Sequence, residues 1–111
     1  MTDDIESILI KFGVKRAEAK IIFHLIKNPQ STSRLIERKA DLRQPEVSQA
    51  LKNLIKRKWV ICRPVKNPKK GRPFYEYKLA KTEQEIFGEI IFDIEKRVDE
   101  LEESIQKIKK R

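Results

Sequence analysis

From Lys52 to Arg72 the chain carries nine basic side chains (Lys52, Lys56, Arg57, Lys58, Arg63, Lys66, Lys69, Lys70 and Arg72) and no acidic one. Such a block attracts polyanions, although a run of charge also serves simply as a solvated surface. The arrangement around it decides between these uses. Arg43, Gln44, Ser48, Gln49, Lys52, Asn53 and Lys56 recur at spacings of one, three and four, which a helix sets along one face. All of them donate or accept hydrogen bonds, and nothing apolar interrupts them. Arg can bond bidentately to guanine and Gln to adenine, and Ser serves base or phosphate. The expected chemistry is therefore base reading by Arg43, Gln44, Ser48 and Gln49, with Lys52, Asn53 and Lys56 on phosphate. Lys66, Lys69, Lys70 and Arg72 form a second cationic group suited to flanking backbone or minor groove, where they supply affinity rather than sequence choice.

Other chemistries lack their residues. A single cysteine, Cys62, excludes an internal disulfide and a multi-cysteine metal site. It lies in a β-rich stretch and is expected as a small buried hydrophobe, with a redox-sensing thiol as the alternative. His24, the one histidine, sits among Ile22, Phe23 and Leu25 and is expected as a packed helix residue rather than a ligand. Trp59, Tyr75 and Tyr77 are expected to support core or hairpin, since no basic sheet face surrounds them as a base-stacking platform. No nucleophile elbow, phosphate loop or dinucleotide fingerprint occurs, so catalysis, cofactor and metal are not expected. The start, Met1-Thr2-Asp3-Asp4, has no signal-peptide character and no apolar run approaches the ~18 residues of a membrane span, so the expected compartment is the cytoplasm.

The 111 residues carry +9 net charge and 39% hydrophobic residues, enough for one modest core. Residues 82–111 hold nine acidic and six basic groups, which leaves +12 on residues 1–81. The expected division is a winged-helix DNA-binding domain over 1–81 and a dimerisation helix over 82–111.

The elements follow from periodicity and caps. Ile5, Ile8, Leu9 and Phe12 mark a first helix, capped by Thr2 and stopped by Gly13. A second, about Lys15 to Lys27, turns Ile21, Ile22, Leu25 and Ile26 inward and ends before Pro29. Ser31 or Thr32 caps a short third helix that buries Leu35 and Ile36 and runs out near Ala40. After a turn at Asp41 to Arg43, Gln44-Pro45 opens a fourth helix, reaching Lys58, whose buried stripe is Val47, Leu51 and Leu54 with Ile55 at its margin. Two short helices across a tight turn, the second polar outside, describe a helix-turn-helix. Trp59 to Val65 and Phe74 to Leu79 then make a hairpin around the basic loop, with Tyr75, Tyr77 and Leu79 packed on the helices and Glu76 and Lys78 in solvent. A hairpin with a cationic tip in that place is a wing.

Thr82 and Glu85 form a capping box for a last long helix. In it Phe87, Ile91, Ile94, Val98, Leu101, Ile105 and Ile108 keep a heptad, with β-branched residues at every a position. That pattern favours a two-stranded parallel coiled coil, a preference that Ile94 and Ile108 at d weaken. Arg97 would then face Glu102 of the partner subunit. Antiparallel pairing stays open, and a stripe folded back on its own domain is the alternative.

The segment from Asp41 to Leu54, with its core Gln-Pro-x-Val-Ser-x-x-Leu-Lys-x-Leu, resembles the recognition helix of prokaryotic winged-helix regulators of the ArsR and MarR type. Phe12-Gly13-Val14 to Pro29, with Gly71-Arg72-Pro73 and Tyr75, resembles the DNA-binding domain of TrmB-like regulators common in archaea. The resemblance spans roughly residues 8 to 80. It implies a mainly α fold with a small β-hairpin wing. It also implies a homodimeric transcription factor, most often a repressor, on a pseudo-palindromic site in double-stranded DNA. Leu35 to Asp41 holds no cysteine where metal-sensing ArsR proteins place a pair, and the sugar-binding domain of full-length TrmB proteins has no counterpart, so no effector carries over. Two other readings share the features: a winged helix that docks a protein in a transcription or assembly complex, and a nonspecific chromatin-type protein. The polar outer face of the fourth helix, without apolar anchors, speaks against the first.

Overall fold

The computed structural model describes residues 2–66 and 73–111. Its elements are α1 (Thr2–Lys11), α2 (Arg16–Lys27), β1 (Ser31–Thr32), α3 (Ser33–Ala40), α4 (Gln44–Lys56), β2 (Val60–Lys66), β3 (Pro73–Leu79) and α5 (Glu83–Lys109). The chain divides into two compact units, 1–81 and 82–111. Among the described residues no helix is long and apolar enough to cross a membrane.

Helices α1, α3 and α4 stop by one device. Gly13, Asp41 and Lys58 have φ of 111°, 54° and 67°, which turns the chain sharply at each end. The next N–H then reaches back over the last turn: Val14 to Leu9 at 2.9 Å, Leu42 to Glu37 at 3.0 Å and Trp59 to Leu54 at 3.1 Å. These are Schellman-type closures, which satisfy a carbonyl that the helix leaves open and aim the following apolar residue inward. Leu42 and Trp59 are buried accordingly.

The core of the first unit is drawn from α2 (Ala19, Ile21, Ile22, Leu25), α3 (Ile36), α4 (Val47, Ala50, Leu51, Leu54), Trp59 and Val60. Ile26 and Leu35 lie half-buried at its edge and Ile55 is exposed. His24 is buried, as expected of a packed ring. Thr32 caps α3 through Oγ1, which accepts from the Leu35 N–H at 3.3 Å. The cap expected at Thr2 lies outside the described side chains.

Ser31 and Thr32 also form a strand that sequence reading did not supply. The antiparallel sheet runs β1-β3-β2, with Ser31 opposite Tyr77 and Thr32 opposite Glu76. Two residues carry no periodicity, so such a strand leaves no pattern. Its presence makes β3 central, and Glu76 and Lys78, expected in solvent, are half-covered.

Two further expectations for the hairpin require correction. Tyr75 is exposed and so is Cys62. The register runs outward from Val60 opposite Leu79, through Cys62 opposite Tyr77, to Pro64 opposite Tyr75. Val60 is buried, yet the hairpin leaves the helices soon after it. Alternation assigns a face to a side chain, but here there is no longer a body beneath that face.

In the second unit, Thr82 Oγ1 accepts from the Glu85 N–H at 3.1 Å and Glu85 Oε1 accepts from the Thr82 N–H at 3.0 Å, completing the expected capping box. Ile91, Val98, Leu101, Ile105 and Ile108 are exposed, and Phe87 and Ile94 are half-buried. Ile86 and Ile90 are buried. They form a second stripe beside the heptad seam, which the seam's regularity had masked.

Candidate nucleic-acid interface

Helix α4 is set by its first turn. Arg43 occupies the N-cap position, its N–H donating to Glu46 Oε1 at 3.0 Å, and Pro45 stands where its missing N–H costs nothing. Val47, Ala50, Leu51 and Leu54 fix the inner side. Arg43, Gln44, Ser48, Gln49, Lys52 and Lys56 are exposed, so most of the face expected from spacing is present on one side of one rod.

That rod stands between two hollows. One, of about 230 Å³, lies towards α3 and β3 and is lined by Ser33, Glu37, Gln44, Ser48, Lys52, Ile55 and Tyr77 among others. The other, of about 170 Å³, lies towards α2 and is lined by Lys15, Glu18, Glu46, Gln49 and Asn53 among others. A ridge flanked in this way can enter a groove without its neighbours colliding first. Exposed Ile55 adds one apolar surface to it, of a kind that suits a thymine methyl group.

Asn53 is placed differently from the other six. Its side chain is half-buried and its Nδ2 donates to Glu18 Oε2 at 3.2 Å, while its Oδ1 accepts from Gln49 Nε2 at 3.3 Å. The amide expected on phosphate is engaged within the protein, because the flank of α4 on which it sits is the one that α2 approaches. Glu18, on α2, is the residue that sequence reading missed. A signal existed: with Ile21, Ile22 and Leu25 it shares the inward spacing of its helix, a position where a carboxylate needs a reason.

Beyond α4, the Arg57 guanidinium stacks 4.8 Å from the centroid of the Trp59 ring, which holds one cation at the end of the helix. On the hairpin, Arg63 pairs across the strands with Glu76 at 3.8 Å. Lys69, Lys70 and Arg72, and the side chain of Lys66, lie outside the described residues.

The sequence profile of the MarR family matches residues 12–72, more than half of the chain, spanning α2 through α4 and β2. No curated protein matches in sequence. Among solved structures, the chain is similar to a possible transcriptional regulator from Methanosarcina mazei Go1, with TM-score 0.69, 15% identity, and 91% of this chain and 86% of that one covered. It is also similar to transcriptional regulator PA4135, with TM-score 0.56, 20% identity and coverage of 96% and 91%. A third likeness is to Stf76 from the Sulfolobus islandicus plasmid-virus pSSVx, with TM-score 0.53, 18% identity and coverage of 66% and 92%. At such identities the likeness is one of fold: a winged helix, and in the first two cases nearly the whole of this chain.

Proposed function

Because the chain belongs to the MarR family of transcription regulators, we propose that it binds double-stranded DNA as a homodimer and represses transcription by occupying a pseudo-palindromic site. The observation that carries this reading is the outer face of α4. It holds Arg43, Gln44, Ser48, Gln49, Lys52 and Lys56, exposed together, on a helix whose other side is locked into the core. A major groove about 12 Å wide admits one such helix. Arg43, Gln44, Ser48 and Gln49, in its amino-terminal half, meet base edges, and Lys52 and Lys56 meet phosphate. The basic wing residues Lys66, Lys69, Lys70 and Arg72 grip the flanking backbone.

One module of this size buries too little surface for tight and specific binding, whereas two fixed modules read half-sites about 34 Å apart. The heptad side chains of α5, five of them exposed and Phe87 and Ile94 half-buried, supply the join. Each one taken out of water contributes on the order of 1.5–3 kcal/mol, so Phe87, Ile91, Ile94, Val98, Leu101, Ile105 and Ile108 suffice for a stable pair.

Selection of bound sequences from a random duplex pool tests the whole reading. The expected product is a two-fold symmetric site with half-sites about one helical turn apart. Binding without enrichment would mark a nonspecific coating protein. Absence of duplex binding would point to a protein-docking module.

A further inference from the structure

Glu18 lies in the first turn of α2 and is only 4% exposed. An ionised carboxylate only accepts hydrogen bonds, so it dictates which end of the Asn53 amide it meets. Nδ2 faces Glu18 at 3.2 Å, and Oδ1 is thereby left for the next neighbour. An amide oxygen also only accepts, so Gln49 must present Nε2, at 3.3 Å. Turning either amide over would set oxygen against oxygen. One buried charge thus sets the sense of a two-amide relay that ends on the exposed face of α4.

We propose that Glu18, acting through Asn53, is a positioning residue that fixes the direction in which Gln49 reads a base pair. The inference rests on the reading of α4 as the base-contacting helix and adds the determinant of its specificity at one position. Asn53 lies one turn beyond Gln49, so Nε2 is held on the carboxy-terminal side and Oε1 on the amino-terminal side. One N–H of Nε2 remains for the base. Adenine is read with its N6 group donating to the amide oxygen and its N7 accepting from the amide nitrogen. A freely turning Gln49 accepts adenine from either strand, whereas the held amide accepts one orientation. The relay therefore makes each half-site prefer A·T to T·A at the pair below Gln49, through two residues that need not touch that base.

Competition binding to the selected site and its single-base-pair variants tests this with the full-length chain. Glu18→Gln is nearly isosteric and still accepts from Asn53, but it also donates, so the relay loses its sense. Asn53→Ala removes the relay by a second route. The wild type is expected to prefer A·T to T·A at one position by about tenfold or more. Glu18→Gln and Asn53→Ala should reduce that preference to about twofold, leave discrimination at the other positions intact, and keep the affinity for a half-site averaged over that pair. Gln49→Ala should lose the same preference, and adding Asn53→Ala to it should cost nothing more. Preserved A·T preference in folded Glu18→Gln and Asn53→Ala variants, or a loss spread evenly over all positions, overturns the proposal alone. Full discrimination in Gln49→Ala overturns the assignment of Gln49 to the bases and the proposal with it.

Discussion

The imidazole of His24 is boxed in by its hydrogen bonds. Ser31 Oγ donates to the Asn28 carbonyl at 3.0 Å, so at 2.9 Å it must accept from the ring, which places the proton on Nε2. Asn28 Nδ2, itself donating to the His24 carbonyl at 3.2 Å, lies 3.4 Å from Nδ1, where a second ring proton would meet an N–H. Burial first, and the charge of Lys39 second, hold the pKa below the ordinary histidine value of 6.5. Lys20 and Lys27 of α2, Lys39 of α3 and Glu6 of α1 line the hollow beside it. The unfolded chain therefore binds this proton more readily than the folded one. The contribution of neutral His24 to stability is complete above 6.5 and is lost as pH falls through the folded value. Thermal unfolding from about pH 7.5 to about pH 5.5 should show the wild type losing stability faster than a His24→Gln variant. Parallel curves would mean that the ring titrates freely in the folded protein. Residue by residue, the sequence disclosed which side chains of α4 share a face, because spacing alone fixes their position around a helix. It did not disclose that Asn53 answers to Glu18, since spacing is silent on which neighbouring helix approaches a flank.

Element boundaries show the same division. Gly13 announced its turn because glycine tolerates positive φ, but Asp41 and Lys58 adopt that conformation without advertising it. They are held there by the 6→1 bonds that follow and by burial of Leu42 and Trp59. The paired strand β1, the exposed Tyr75 and Cys62, and the buried Ile86 and Ile90 were illegible for one reason. Each depends on where another element begins or ends, not on the pattern of its own segment. The opposite demands on glycine yield a paired prediction. At Lys58, with φ 67°, a side chain costs about 1–2 kcal/mol, partly offset by the greater entropy that glycine loses on folding. Lys58→Gly should therefore stabilise the fold by about 0.5–1 kcal/mol, seen as a rise of about 4 °C in melting temperature. At Gly88, inside α5, an added Cβ would meet nothing within 4 Å. Gly88→Ala should stabilise by a similar amount, about 0.5–1 kcal/mol, through helix propensity. A fall in melting temperature for Lys58→Gly would show that the lysine side chain has a role the backbone conformation does not reveal. A fall for Gly88→Ala would show that another surface closes over that position in the assembled protein.

At the scale of the whole molecule, charge is unevenly divided between the two units. Residues 1–81 carry +12, whereas 82–111 carry nine acidic against six basic groups. A polyanion is drawn to the first unit rather than the second, and the proposal that α5 joins two protomers is tested on its exposed seam. Leu101 and Ile105 are 58% and 49% exposed in the single chain, so replacing both with Glu disturbs no core packing within it. The double variant should sediment as a monomer while the first unit unfolds at an unchanged temperature. Its DNA binding supplies the sharper measurement. If each protomer makes three to five phosphate contacts, a dimer loses roughly 10³ to 10⁵ in affinity between about 50 and 200 mM salt. The monomer, with half the contacts, should show half the slope of log affinity against log salt. A variant that stays dimeric moves the interface off α5. A monomer that keeps the full slope means that one protomer makes every phosphate contact, and the second copy would then be needed for something other than holding DNA.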